Sequence, residues 1–439
     1  MSTPRMLVVP GGTSIGAVAL ANASIHKIVE LWEERQEEPD HPAPHTITVL
    51  RDPNEAAVNT LRNSQATPQE AFPADKYPEL QERLADPHFF DGIDLIVPTS
   101  GSSAGVPRLV GLSIDALIAS ARASEAALDG PGRWILALPT HHIAGVMVLL
   151  RAAVAGTNPQ FVDTSNGFNP ADMLPAINGA TQDVDTPSYT SLVPTQLAAC
   201  LDAGDEVVAA LTRLSAVLVG GSAIDADLLT SARERGINVV TTYGMTETCG
   251  GCVYDGFALP GVTVRAVDRD GRSRIAISGP TLMTRYLEGE SPTFDEDGRR
   301  WLLTGDVGSI RASGQLVVEG RADDVIVSGG LSISPQQVRA PIVASGEVTD
   351  AWVIGTPDEK WGQVVTAVVV TTPPTNADEM DALGTRVREA AASVVGRVQA
   401  PRRVVVVDAL PMTDLGKVER AATMELAEAA RGTIRDWWR

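Results

Sequence analysis

Cysteine is scarce in this chain, with three in 439 residues, and so few exclude a disulfide-built scaffold. Cys249 and Cys252 form a single CxxC. No second CxxC accompanies it and no βαβ start precedes it, so small half-buried loop residues are expected there rather than a zinc or redox centre. Positive charge is also short: 35 Lys and Arg stand against 55 Asp and Glu, a formal charge of −20. A general affinity for nucleic acid or an anionic membrane needs a cationic face, and this balance argues against both. An anion held in a local pocket is not excluded. Lysine itself is nearly absent, with Lys27, Lys76, Lys360 and Lys417 the only four, so each retained lysine raises the question of its purpose. No apolar run approaches the ~18 residues of a membrane span. The N-terminus MSTPRMLVVPGGTSIGAV lacks the basic, then apolar, then small-residue succession of a secretory signal. A soluble cytoplasmic protein is expected.

What is present is an ordinary globular composition, 44% hydrophobic and 21% charged. At ~100–200 residues per domain the length implies two to four domains. The first 92 residues say least: Ser24–Gln36 reads as an amphipathic helix, residues 33–45 as a solvated charged loop, and Gly11–Gly16 as a turn that fits neither a Walker A loop nor GxGxxG. From residue 93 short apolar runs alternate with helical periods. Strands are expected at 93–98, 134–139, 189–194, 214–220 and 237–244, with helices at Ser113–Leu128, Ile143–Ala155 and Asp225–Arg235 closed by Gly236. That alternation implies a largely parallel, helix-covered sheet. After residue 256 the pattern shifts to short strands and turns at Asp297-Gly298 and Ser313-Gly314, a small β-rich subdomain. From about residue 322 the order is hairpin, helix, strand, strand, helix, strand, helix, a compact α+β domain.

One segment directly follows an expected strand and precedes a helix: Thr99, Ser100, Gly101, Ser102, Ser103, Ala104, Gly105, Val106, Pro107, Arg108. Backbone N–H groups and hydroxyls in such a loop can surround a polyphosphate. Read alone, it supports phosphate binding and an ordinary loop equally. Four later segments shift that balance. Tyr243, Gly244, Met245, Thr246 and Glu247 lie at the C-terminal end of a strand, where open α/β sheets bind ligands and where a carboxylate can hold Mg²⁺. The others are Thr304-Gly305-Asp306, then Gly320-Arg321-Ala322-Asp323-Asp324 with Ser328-Gly329-Gly330, and finally Pro411-Met412-Thr413-Asp414-Leu415-Gly416-Lys417-Val418. Taken singly, Asp306 reads as closing a turn, Glu247 as a helix cap, Asp323-Asp324 as a loop tip and Ser328–Gly330 as a hairpin turn.

Together, in this order, the five segments resemble the adenylate-forming superfamily of acyl-CoA synthetases, luciferases and peptide-synthetase adenylation domains. The resemblance implies an α/β fold: a large N-terminal domain of helix-covered sheets over 1–321, trimmed at its start and β-rich from about 257, and a small mobile α+β domain over 322–439. It implies ATP, Mg²⁺ and coenzyme A as ligands. Thr99 to Gly105 and Arg108 would hold the phosphates, Gly221, Ser222, Ala223 and Tyr243 to Thr246 the adenine, and Glu247, with Thr246 beside it, the Mg²⁺. Asp306 would take the ribose hydroxyls, assisted by Arg321. Lys417 would reach the carboxylate and the α-phosphate. Asp323 would be the hinge, and Ser328, Gly329 and Gly330 would line the thiol channel. The phosphate loop departs from the family pattern by one extra residue and by ending in Arg108, and Leu331 stands where relatives often carry an acidic or amide side chain.

The run Leu138-Pro139-Thr140-His141-His142-Ile143-Ala144-Gly145, continuing to Leu149-Leu150-Arg151, bears on the acid. It resembles the o-succinylbenzoate–CoA ligases of menaquinone synthesis, as do residues 191–197 and 248–254. The resemblance implies an aromatic dicarboxylate, with His142 closing the acyl pocket, Thr195 lining it and Arg151 contacting the second carboxylate. An Arg at a helix end reaching solvent is an equal alternative for Arg151. The expected activity is two-step formation of o-succinylbenzoyl-CoA. Another acyl- or aryl-CoA synthetase of the superfamily, an adenylating enzyme that does not use coenzyme A, and a catalytically silent nucleotide-binding protein are the rivals. A homodimer stays open.

Overall fold

The computed structural model describes residues 4–37, 46–53, 65–86, 88–99, 107–269, 271–413 and 417–439, and for Ser332 the backbone alone. It divides into two compact units, residues 1–264 with 277–302, and residues 265–276 with 303–439.

The first unit contains two sheets. One has five parallel strands in the order Val239–Met245, Ala216–Val219, Ser188–Leu192, Arg133–Leu136, Gln160–Phe161, extended by the antiparallel strands Gly250–Tyr254 and Phe257–Ala258. Its strands read as apolar runs because helices cover them; Ile135, Leu192, Val217, Val219 and Val239 enter one core with Met173, Leu197 and Leu211 from those helices. Helix starts follow from local chemistry. Ser113 accepts the Ala116 amide at 3.2 Å ahead of Ile114–Ala127. Asp225 accepts the Asp227 and Leu228 amides ahead of Ala226–Glu234, and Gly236 beyond that helix takes φ +85°.

The second sheet takes in the expected strand at 93–98 and two parallel strands from the first 92 residues that were not read from the sequence. Arg5–Pro10 pairs in parallel with Thr46–Arg51, which pairs in parallel with Leu95–Pro98, and three antiparallel strands complete six. The stretch that reads least clearly in sequence is thus part of the core, with Met6, Val8, Ile47 and Val49 packed against Phe72, Phe89 and Ile96. The expected helix at Ser24–Gln36 is longer, Ile15–Glu37, and takes in Gly16 and the first acidic residues of the charged stretch. Residues 38–45 lie outside the described residues. This helix packs on Ile143–Val154, which also meets Ile114–Ala127. Ile143–Val154 is buried on every side from Gly145 to Ala152, which explains its nearly continuous apolar sequence.

In the second unit, residues 306–310 of the strand Arg299–Ile310 pair antiparallel with Leu316–Arg321. The α+β order read from sequence follows: the hairpin Ile326–Ser328 and Leu331–Ile333, helix Pro335–Ala344, strands Asp350–Asp358 and Gly362–Val370, helix Ala377–Val395, strand Arg403–Val407 and helix Arg420–Ala429. One strand was missed: Asp436–Trp438 pairs antiparallel with Arg403–Val407. Among the described residues no helix is long and apolar enough to cross a membrane.

Candidate active site

The strand Val239–Met245 carries Tyr243, Gly244 and Met245 to the edge of the parallel sheet, and a single 3-10 turn, Thr246–Thr248, follows. Gly244 is required by close approach: a Cβ there would stand 2.0 Å from the Gly250 carbonyl oxygen of the neighbouring strand. Thr248 closes the turn by accepting the Met245 amide at 2.9 Å. Glu247 is fixed at both ends. Its backbone carbonyl accepts the Met283 amide at 2.8 Å, and its Oε1 accepts the Tyr286 hydroxyl at 2.5 Å. Arg108 lies over the Tyr286 ring, 5.1 Å from its centroid. Burial, then the Glu247 charge, push the Tyr286 phenol well above its ordinary pKa, so it remains a donor. Tyr286 was missed in the sequence because the strand Arg285–Tyr286 is two residues long and carries no motif.

Thr99 and Arg108 close the base of the Ser/Gly loop, the Thr99 amide donating to the Arg108 carbonyl at 2.8 Å and the Arg108 amide to Thr99 Oγ1 at 2.9 Å. Ser100, Gly101, Ser102, Ser103 and Gly105 lie outside the described residues. Gly221, Ser222 and Ala223 are exposed just past the end of the strand Ala216–Val219. Among the described residues no three His, Cys, Asp or Glu side chains gather as a metal cage. Glu247 Oε2 takes no hydrogen bond from them, which leaves one hard oxygen for a divalent ion whose other ligands would be phosphate and water. The Mg²⁺ expected from the sequence fits this donor set.

His142 is the residue immediately before helix Ile143–Val154, with its ring 4.2 Å from that of buried His141. Gly145 allows the sharp entry, since a Cβ would meet the Pro139 carbonyl oxygen at 2.2 Å. Thr195 is exposed at the start of helix Pro194–Asp202. Arg151 does not take the solvent-reaching alternative. Nine residues beyond His142 and roughly 13 Å along the helix axis, it is only 3% exposed. It donates to the Tyr254 hydroxyl at 3.3 Å and lies over the Trp134 ring at 5.0 Å. Tyr254 in turn meets Ser124 Oγ at 2.9 Å. The guanidinium is therefore held inside the fold and does not reach solvent.

In the second unit Asp306 sits inside a strand rather than at a turn, cross-strand from Arg321. The Arg321 guanidinium lies 3.6 Å from the Asp306 carboxylate and 3.1 Å from that of Asp323. Gly305 makes room for it, because a Cβ there would come within 2.6 Å of that guanidinium. Burial opposes the Arg321 charge, but the Asp323 hydrogen bond and the Asp306 carboxylate outweigh it and raise its pKa. Asp324 is no free loop tip: it pairs with Arg420, the first residue of the helix after Lys417. Lys417 is held in place by its carbonyl accepting the Thr413 amide at 2.7 Å, with Met412 and Val418 bridged antiparallel. Burial and the positive Arg321 lower the Lys417 pKa, partly offset by Asp306, so the three charges form one electrostatic group. Asp414, Leu415 and Gly416 lie outside the described residues. Ser328 precedes a turn in which Gly329 and Gly330 both take positive φ, 58° and 83°. The Gly329 amide donates to the Trp361 carbonyl at 3.0 Å, with the Trp361 ring against its Cα.

Cys249 and Cys252 are fully buried rather than half-buried, and neither is in a disulfide. Burial raises both thiols, Cys252 to about 12, so neither is a thiolate near neutral pH.

Residues 3–287 match the family model described as AMP-binding enzyme, and residues 340–417 match the AMP-binding enzyme C-terminal domain. The chain is 41% identical over 335 residues to the probable 2-succinylbenzoate–CoA ligase of Mycobacterium tuberculosis strain H37Rv, covering 76% of this chain and 84% of that protein. It is 29% identical over 355 residues to the 2-succinylbenzoate–CoA ligase of Bacillus subtilis strain 168, covering 76% and 68%. Among solved structures, the Bacillus subtilis o-succinylbenzoate CoA synthetase in complex with its acyl-adenylate intermediate superposes with a TM-score of 0.67 at 23% identity, covering 96% of this chain and 95% of that one.

Proposed function

For a chain that belongs to the AMP-binding family of adenylate-forming enzymes, we propose the activation of o-succinylbenzoate with ATP and its transfer to coenzyme A. The observation that carries the acid's identity is the 41% relationship to a mycobacterial protein named as a probable ligase for that acid. The His141-His142 entry to a helix buried from Gly145 to Ala152 supports it.

In the first step a substrate carboxylate oxygen bonds to the α-phosphorus and the bond to the pyrophosphate oxygen breaks. Two anions meet, so a positive group must lower the charge at the five-coordinate phosphorus. Lys417 supplies it, a compact cation on a flexible stem. Asp306 accepts from the ribose hydroxyls, and Arg321 holds its carboxylate in place. Thr99, Arg108 and the loop between them receive the phosphates. Glu247 and, beside it, Thr246 are the residues that would hold Mg²⁺, which supplies charge neutralisation along the phosphates. His142 closes the acid pocket, with Thr195 at its rim. In the second step the coenzyme A sulfur bonds to the acyl carbon, the carbon–oxygen bond to AMP breaks, and the thiol proton passes to solvent. Rotation at Asp323 would withdraw Lys417 and bring Ser328–Gly330 to the thiol, separating two steps of different geometry.

A panel of acids incubated with ATP, Mg²⁺ and coenzyme A tests this by AMP release and thioester formation. o-Succinylbenzoate should be turned over fastest, with both products. A faster aliphatic or simple aryl acid assigns a different synthetase of the family. Product that forms equally well without coenzyme A removes the second step.

A further inference from the structure

A side chain on Gly11 would have no space. Its Cβ would stand 2.4 Å from His141 Cβ, 2.7 Å from the His141 nitrogen and 2.9 Å from its Cα. None of these atoms can rotate away. The turn cannot easily retreat either, because the Gly11 amide donates to the Arg51 carbonyl at 2.8 Å, at the end of the neighbouring parallel strand. Thr140, fully buried, grips the next residue: its amide donates to the Gly12 carbonyl at 3.0 Å and its hydroxyl to the same oxygen at 3.2 Å. Gly12 takes φ +129°, where a side chain is strained. Two segments remote in sequence, 11–12 and 140–141, are therefore knit just ahead of helix Ile143–Val154.

We infer that the Gly11-Gly12 turn is the support on which acid selection rests, with Gly11 and Thr140 acting as positioning residues for His142. The inference builds on the reading that His142 closes the acid pocket. The turn holds the backbone from which His142 projects, so its shape fixes how much room a bulky aromatic acid finds. Among the described residues no hydrogen bond joins the turn to Thr246–Thr248, so the nucleotide side should not feel its disturbance.

The test measures KM for o-succinylbenzoate and KM for ATP separately in the full-length enzyme. Gly11→Ala forces His141 outward by a fraction of an ångström or more and should raise the acid KM roughly tenfold to a hundredfold, since misplacements near 1 Å carry costs of that order. The ATP KM should stay within about twofold. Because Gly11→Ala could unfold the chain, Thr140→Val serves as the milder variant: it removes only the hydroxyl donor and should raise the acid KM several-fold, with Thr140→Ser restoring it. Equal rises in both KM values, or a loss of folded protein with unchanged acid KM in what remains, overturns the inference. His142→Ala separates it from its premise. A large acid KM in His142→Ala beside normal values in Gly11→Ala and Thr140→Val refutes the positioning role alone. A normal acid KM in His142→Ala refutes the acid-pocket reading and the inference with it.

Discussion

Arg151 shows how a single side chain is decided by neighbours that sequence does not name. Position along a helix limits its reach, but Trp134 and Tyr254, 17 residues before it and 103 after it, determine where the guanidinium goes. Its engagement by Tyr254 and the Trp134 ring predicts a stability phenotype. Arg151→Ala should lower unfolding stability by about 3–5 kcal/mol, the range for removing a large buried side chain. It should affect turnover of o-succinylbenzoate and of benzoate alike, and a selective loss of the dicarboxylate would restore Arg151 to the substrate. Lys417 was legible for the opposite reason. Lysine is rare in the chain and this one lies in a recognisable motif, although its lowered pKa, set by burial and Arg321, needed the folded arrangement. Tyr286 left no signal, since a two-residue strand gives periodicity nothing to register.

Elements were legible where burial writes itself into composition. The strands Leu95–Pro98, Arg133–Leu136 and Ala216–Val219 are buried and largely apolar, Ser188–Leu192 is buried with a mixed sequence, and each falls inside the segment expected for it, apart from a residue at an edge. Arg5–Pro10 and Thr46–Arg51 are as apolar, but their pairing is parallel and spans a charged, proline-rich stretch, so no local turn announces it. Asp436–Trp438 was hidden because its partner's register, not its own pattern, makes it a strand. Within elements, glycine marks close approach. Gly305 exists so that the Arg321 guanidinium can cross to Asp306. Gly305→Ala should displace that flexible side chain without unfolding the strand. Losing a partly exposed ion pair of this kind costs about 0.2–1 kcal/mol, so the KM for ATP should rise by up to about fivefold. An unchanged KM for ATP would separate the Arg321–Asp306 pair from nucleotide binding.

At the scale of the whole chain, the acidic balance and the proposed anionic ligands are reconciled by local placement. A formal charge of −20 gives no general attraction for ATP or coenzyme A. The cations that serve them must be individually positioned, as Lys417 is by its hydrogen bond with Thr413 and Arg321 by Gly305. We propose that this one lysine drives the adenylating step and not the thiol step. The direct measurement is o-succinylbenzoate-dependent pyrophosphate exchange in the wild-type enzyme and in Lys417→Ala, alongside thioester formation from supplied o-succinylbenzoyl-AMP. Exchange should fall by roughly 10²–10³, on the order of 3–4 kcal/mol, while the thiol step stays nearly intact. Near-normal exchange in Lys417→Ala, or an equal loss of both steps, would contradict it.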